Sequence, residues 1–275
     1  GNVSDTGQPI MADINGDGKE DLIVVGEWMS IKVFINNEGQ LIETDYPSLQ
    51  NTHGWWNTIE KVDLNNDGKL DFILGNQGIN GKHVPTQNDP LSMYLADFDK
   101  NGFLDQVITY SIEGKEYPLA SKDELVKQLA VIKKQYLSYA SYAGKTIDEI
   151  VKRGALEASI KLKAATFESI ALLQTATGFE VVPLPRGAQK SPINAILPFD
   201  FNKVGFVDLM IAGNKSGAAP YFGSYDASYG DILVGKGNGH FEMMNASKTL
   251  LKIDGDVRDL AVVNNVEDGK LIIVG

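Results

Sequence analysis

Asp13-Ile-Asn15-Gly-Asp17-Gly18-Lys19-Glu-Asp21, running directly into the apolar stretch Leu22-Ile-Val-Val25, decides how this chain folds. The pattern recurs as Asp63-Leu-Asn65-Asn-Asp67-Gly68-Lys69-Leu-Asp71 before Phe72-Ile-Leu74. It appears again as Asp97-Phe-Asp99-Lys-Asn101-Gly102-Phe103-Leu-Asp105 before Gln106-Val-Ile108. A fourth copy, Asp200-Phe-Asn202-Lys-Val204-Gly205-Phe206-Val-Asp208, carries Val204 where the others carry an acid or amide. Oxygen-bearing side chains at positions 1, 3, 5 and 9, with Gly at 6, are what a hard cation such as calcium requires. Calcium takes six to eight oxygens at roughly 2.3–2.6 Å, and Gly permits the sharp turn that gathers them.

The EF-hand shares the first half of this pattern but ends on a bidentate Glu at position 12 and is flanked by helices. Here that position holds Val24, Leu74, Ile108 and Ile211, and the residues after position 9 read as β-branched strand. The EF-hand reading therefore fails. Asp, Asn and Gly also make good turns without any metal. Recurrence at one fixed spacing favours the cation.

These loops resemble the integrin-type FG-GAP (VCBS) repeat, and the wording of Asp21–Trp28, Gly54–Asn57 and Ala188–Ile196 is similar to bacterial relatives of the cartilage acidic protein family. The resemblance implies a mainly β fold, a full or partial β-propeller of four-stranded antiparallel blades with calcium in the loops. It implies Asp13, Asn15, Asp17 and Asp21 as side-chain ligands and Lys19 as a carbonyl ligand. The same roles fall on Asp63, Asn65, Asp67, Lys69 and Asp71, and on Asp97, Asp99, Asn101, Phe103 and Asp105. Asp200, Asn202 and Asp208 form a doubtful fourth site because of Val204, so about three calcium ions are expected.

The formal net charge of −11 equals the acids at ligand positions of the four loops, three in each of the first three and two in the last. Without cations such carboxylates repel one another. The acidic balance argues against nucleic acid, which needs a basic surface. With no cysteine there is no disulfide framework. No run approaches the roughly 18 apolar residues of a membrane span.

Read in order, residues 8–50 hold strand, loop, strand, the alternating strand Ile31–Ile35 and a hairpin turn at Asn36–Gly39. A second unit at 58–79 lacks its second hairpin until 166–186. From Asp13 to Asp63 is 50 residues and from Asp63 to Asp200 is 137; removing 80–165 leaves 51, a blade-like period. Segment 80–165 is therefore expected to be an insertion carrying the third loop and helices. Its helix signals are a capping box at Ser121 and Glu124, the stripe Leu125, Leu129, Ile132 and Tyr136, a second box at Thr146 and Glu149, and a stop at Gly154. Further units are expected at 193–246 and 258–275, the last with a shortened turn at Asn264–Gly269. Its half-finished form, with no export signal at the start, is expected of a piece of a longer exported chain or of a complex.

Among function classes, catalysis lacks a constellation. His53, His83 and His240 have no partners suggesting a triad or zinc site, and Gly235-Lys-Gly-Asn-Gly239 sits in a hairpin rather than before a helix. The favoured reading is an extracellular, cell-surface or periplasmic recognition or adhesion module for a protein or glycan, with calcium structural. Trp55, Trp56, Tyr221, Phe222, Tyr225 and Tyr229 are its expected aromatic contact face. The alternative is a carbohydrate-active enzyme or its accessory domain.

Overall fold

The computed structural model describes residues 7–265 and 269–275. Three four-stranded antiparallel sheets follow one plan, with strands in sequence order and an acidic loop joining the first to the second. Gln8–Ala12, Asp21–Val25, Lys32–Asn37 and Gln40–Thr44 make the first sheet. In the second, Thr58–Val62 and Asp71–Gly75 are completed by Ile170–Thr175 and Gly178–Pro183. The third contains Ile193–Phe199, Asp208–Gly213, Asp231–Gly235 and Phe241–Met243. A pair, Leu260–Asn265 with Gly269–Val274, comes last; the turn expected between them falls largely on 266–268, outside the described residues. Among the described residues no sheet closes on itself.

The burial of each second strand tells what covers it. Asp21–Val25 alternates buried and half-buried residues, as a strand covered on one face should. Asp71–Gly75 and Asp208–Gly213 are buried throughout, because each is sandwiched between neighbouring sheets. Ile23, Ile59, Phe72, Leu74 and Leu172 fill the space between the first and second sheets. Ile73, Leu173, Ile196, Leu209 and Ile211 do the same between the second and third. The first strands of successive sheets lie side by side: Gln8–Ala12 packs on Thr58–Val62, that on Ile193–Phe199, and that on Leu260–Asn265. The approach is close enough that a Cβ on Gly75 would lie 2.3 Å from the Ile193 carbonyl oxygen.

Segment 80–165 holds more sheet than its sequence suggests. Leu91–Ala96, Asp105–Ile112, Lys115–Pro118 and Ile160–Ala164 form a four-stranded sheet of their own. Its last strand returns beside Leu91–Ala96 instead of extending the sheet beyond Lys115–Pro118. The alternation in Ile160-Lys-Leu-Lys-Ala164 is the strand signal for it. The two ends of the segment meet, since Gly78 N donates to the Phe167 carbonyl at 2.8 Å.

Both capping boxes form, at Ser121 with Glu124 and at Thr146 with Glu149. The stripe does not lie on one helix. Leu129 leaves the helical region at φ −114° and ψ 81°, splitting Lys122–Gln128 from Val131–Gln135. Leu125, Leu129, Ile132 and Tyr136 nevertheless all bury against Tyr94, Val107, Ile147 and Ile150. Short helices draw little stability from propensity, so packing sets where they break. Gly154 is no helix stop: the helix begun at Thr146 ends at Ile150, and Gly154 lies inside Arg153–Glu157. No helix among the described residues is long and apolar enough to cross a membrane.

Candidate metal centre

The four acidic loops share one hydrogen-bond plan, and it explains why the pattern is written as it is. The first Asp accepts from the backbone N–H of positions 5 and 6: Asp13 from Asp17 and Gly18, Asp63 from Asp67 and Gly68, Asp97 from Asn101 and Gly102, Asp200 from Val204 and Gly205. The side chain at position 3 accepts from the same position-5 N–H, as Asn15, Asn65, Asp99 and Asn202 show. At position 5, Asp17, Asp67 and Asn101 accept from Lys19, Lys69 and Phe103 N–H; Val204 has no oxygen to do so. The Gly at position 6 takes φ between 81° and 89° in all four, the region that favours glycine.

Position 9 faces inward. Asp21, Asp71, Asp105 and Asp208 are buried, and each accepts from the N–H of position 2, namely Ile14, Leu64, Phe98 and Phe201. In the three serial sheets the other carboxylate oxygen holds the third strand or its end: Asp21 with Asn36 N, Asp71 with Gln174 N, Asp208 with Gly235 N, at 2.8, 2.8 and 2.9 Å. Asp71 thus selects Ile170–Thr175, a hundred residues away, as its third strand. Asp105 makes no such bond to Lys115–Pro118 among the described contacts; the N–H groups of Phe98 and Asp99 serve its carboxylate instead.

The third loop alone has an acid, Asp99, at position 3. Among the described residues, Asp97, Asp99 and Asp105 are the one group of three acids whose carboxylate oxygens lie within 4.8 Å of one another. A carboxylate offers about four lone-pair sites, so the backbone bonds to Asp97 and Asp99 leave capacity for a cation. Burial pushes the Asp105 carboxyl up, the Phe98 N–H opposes this, and the Asp99 and Asp97 charges push it further up. A cation at this point would relieve that repulsion. Burial likewise raises Asp71, whereas exposed Asp17 is lowered, chiefly by the Lys19 N–H. The all-oxygen donor set fits a hard cation. The first two loops carry Asn15 and Asn65 where the third carries Asp99, so at the same three positions they offer two carboxylates and an amide oxygen.

The expected aromatic face is not a face. Trp56 is fully buried, and its indole N–H donates to the Thr52 carbonyl at 2.9 Å. Trp55 is 6% exposed and packed among Trp28, Phe167 and Phe222; Tyr225 is 4% exposed. Tyr221 and Phe222 are half-buried against each other, and Tyr229 alone of the six stands exposed. The junction between the inserted sheet and the serial sheets buries Trp55 with Phe222 against it, and the core between the first and second sheets buries Trp56; local sequence announces neither contact. The structural role of Asp21, Asp71 and Asp208 was equally invisible, because the strand each one holds is set by the fold.

Residues 13–74, which span the first two loops and the last three strands of the first sheet, match the FG-GAP-like repeat family. No curated protein matches the chain. Among solved structures it is similar to the V. cholerae biofilm matrix protein Bap1, at 8% identity and a TM-score of 0.29, over 95% of this chain. The chain spans 58% of the length of that protein.

Proposed function

We propose that this chain is a calcium-stabilised extracellular recognition or adhesion module, its serial sheets being blades of a β-propeller. The observation that carries the reading is the convergence of Asp97, Asp99 and Asp105 within 4.8 Å in a loop whose plan is repeated three more times. The FG-GAP-like match over residues 13–74 and the side-by-side first strands support it. Calcium is the ion the all-oxygen donors suit, and the loops at Asp13 and Asp63 are its further sites. Extracellular calcium modules work with dissociation constants of order 10⁻⁴–10⁻³ M, which are filled outside a cell and empty in its cytosol. In this reading calcium joins strands and takes no part in chemistry, and the partner is a protein or a glycan.

Thermal unfolding with calcium and with chelator tests the proposal. Calcium at about 100 times its Kd should add roughly 2.7 kcal/mol, a rise of several degrees in the midpoint. An unchanged midpoint, together with no heat of calcium binding by calorimetry, would overturn it.

A further inference from the structure

The helices of the inserted segment differ in charge from the rest of the chain. Between Glu124 and Asp148 stand four lysines, Lys127, Lys133, Lys134 and Lys145, and no acid, in a chain of formal net charge −11. Lys145 is paired with Glu149 at 2.7 Å. Among the described residues no ion pair engages the other three, and all three are exposed.

The same stretch shows large apolar side chains to water. Leu137 is 87% exposed, Tyr139 64% and Val131 54%, while Leu125, Leu129, Ile132 and Tyr136 fill the core beneath them. Val131 and Lys134 stand three apart within Val131–Gln135, so they are neighbours on a face turned away from buried Ile132. The third acidic loop adjoins these helices. Gln106 N donates to the Gln128 Oε1 at 3.2 Å, and Phe98 packs against the helical core. In that loop Phe103 is 76% and Leu104 75% exposed. Loop and helices thus hold three of the four most exposed large apolar side chains among the described residues. The matching Phe206 of the fourth loop is 39% exposed and lies over Gly237, where a Cβ would meet its ring at 2.3 Å.

We propose that these helices and the adjoining loop tip dock on the surface of an anionic lipid bilayer. Unpaired lysines are drawn to lipid phosphates, and exposed Leu, Val and Phe side chains gain by entering the boundary between headgroups and acyl chains. Lysine suits that boundary because its stem lies along apolar groups while its ammonium stays among the headgroups. The composition favours a bilayer over a protein partner. The buried centre of a protein interface is depleted in lysine, whereas a surface that lies on a membrane mixes lysine with large apolar residues. An anionic bilayer repels the acidic remainder of the chain, which leaves this basic side to approach it. The contact is peripheral, since no helix among the described residues is long and apolar enough to cross. It needs no bound cation and stands apart from the calcium reading.

The test is cosedimentation of the whole chain with vesicles of phosphatidylcholine, alone or with about 30 mol% phosphatidylglycerol. The chain should bind the anionic vesicles about tenfold or more above the neutral ones, and added salt should weaken that binding. A lysine near an anionic surface strengthens binding roughly fivefold, so the triple variant Lys127→Glu, Lys133→Glu, Lys134→Glu should lose about tenfold or more. Leu104→Ser with Leu137→Ser should lose about tenfold as well. Every substituted side chain is exposed, so both variants should keep the parent's melting midpoint. Leu137→Trp serves if either fails to fold: its emission should shift to the blue with anionic vesicles. No binding to either vesicle, equal binding to both, or an unshifted emission would overturn the proposal. It falls too if the lysine variant alone loses binding, because a purely electrostatic surface fits an acidic protein as well as a bilayer.

Discussion

Val204 isolates what one side chain contributes to an acidic loop. Its N–H still donates to Asp200 and Asn202 at 3.2 and 3.0 Å, and Gly205 N still donates to Asp200 at 2.9 Å, so the backbone keeps the shape of the intact loops. Only the oxygen is missing. Val204→Asp should therefore supply a donor without refolding the loop, and the calcium stoichiometry measured by calorimetry should rise by one. An unchanged count would mean that Asp208, whose oxygens already serve Phe201, Asn202 and Gly235, has none to spare. Asp105 differs in another way: among the described contacts it holds no third strand, and its carboxylate accepts from Phe98 and Asp99 N–H.

At the scale of elements, the inserted sheet is held by a charged network as well as by its core. The Glu116 carboxylate on Lys115–Pro118 accepts from the Ser92 hydroxyl at 2.6 Å and from the Tyr94 hydroxyl, and pairs with the Lys161 ammonium at 2.9 Å. Three strands meet at that one group. Burial alone would raise its pKa; the bonds from Ser92, Tyr94 and Lys161 outweigh burial and hold it below the usual 4.5. A carboxyl depressed in the fold adds stability that is complete above its unfolded pKa and is lost as pH falls through the folded value. Acid unfolding below about pH 4.5 should therefore begin in this sheet. Glu116→Gln should cost about 1–3 kcal/mol at neutral pH and flatten that acid dependence. Equal pH profiles for the parent and variant would show that the network is not what acid breaks.

On the scale of the whole molecule, the inserted segment leaves and rejoins the second sheet at one point, marked by the Gly78–Phe167 bond and by the Asn76 amide, which donates to the Thr166 and Glu168 carbonyls. Replacing 80–165 with a short Gly/Ser linker should leave the three serial sheets folded and lower the calcium stoichiometry by one. The melting midpoint should fall, because Trp55 and Phe167 lose Leu91, Met93 and Ala164 from their cluster. A variant that melts without cooperativity would show that the segment is part of the fold it interrupts.

How much of this was legible beforehand follows from the range of each interaction. The acidic loops, the strands after them and both capping boxes are local: their donors and acceptors lie within a few residues, so spacing alone specifies them. The pairing of Asp71–Gly75 with Ile170–Thr175 could be inferred from the repeat period, while Asp71 holding Gln174 N could not. Whether Trp55 and Trp56 face water was undecidable from sequence, since an aromatic pair serves a binding face and a core junction equally well. The inserted sheet settled it for Trp55 by packing Leu91, Met93 and Ala164 around it with Trp28 and Phe167, and the core between the first two serial sheets settled it for Trp56. Sequence by itself determined the repeating loops and their donors. Tertiary structure decided which strand each buried Asp holds and which aromatic rings are buried, because those depend on chain segments brought together only when apolar surface is buried.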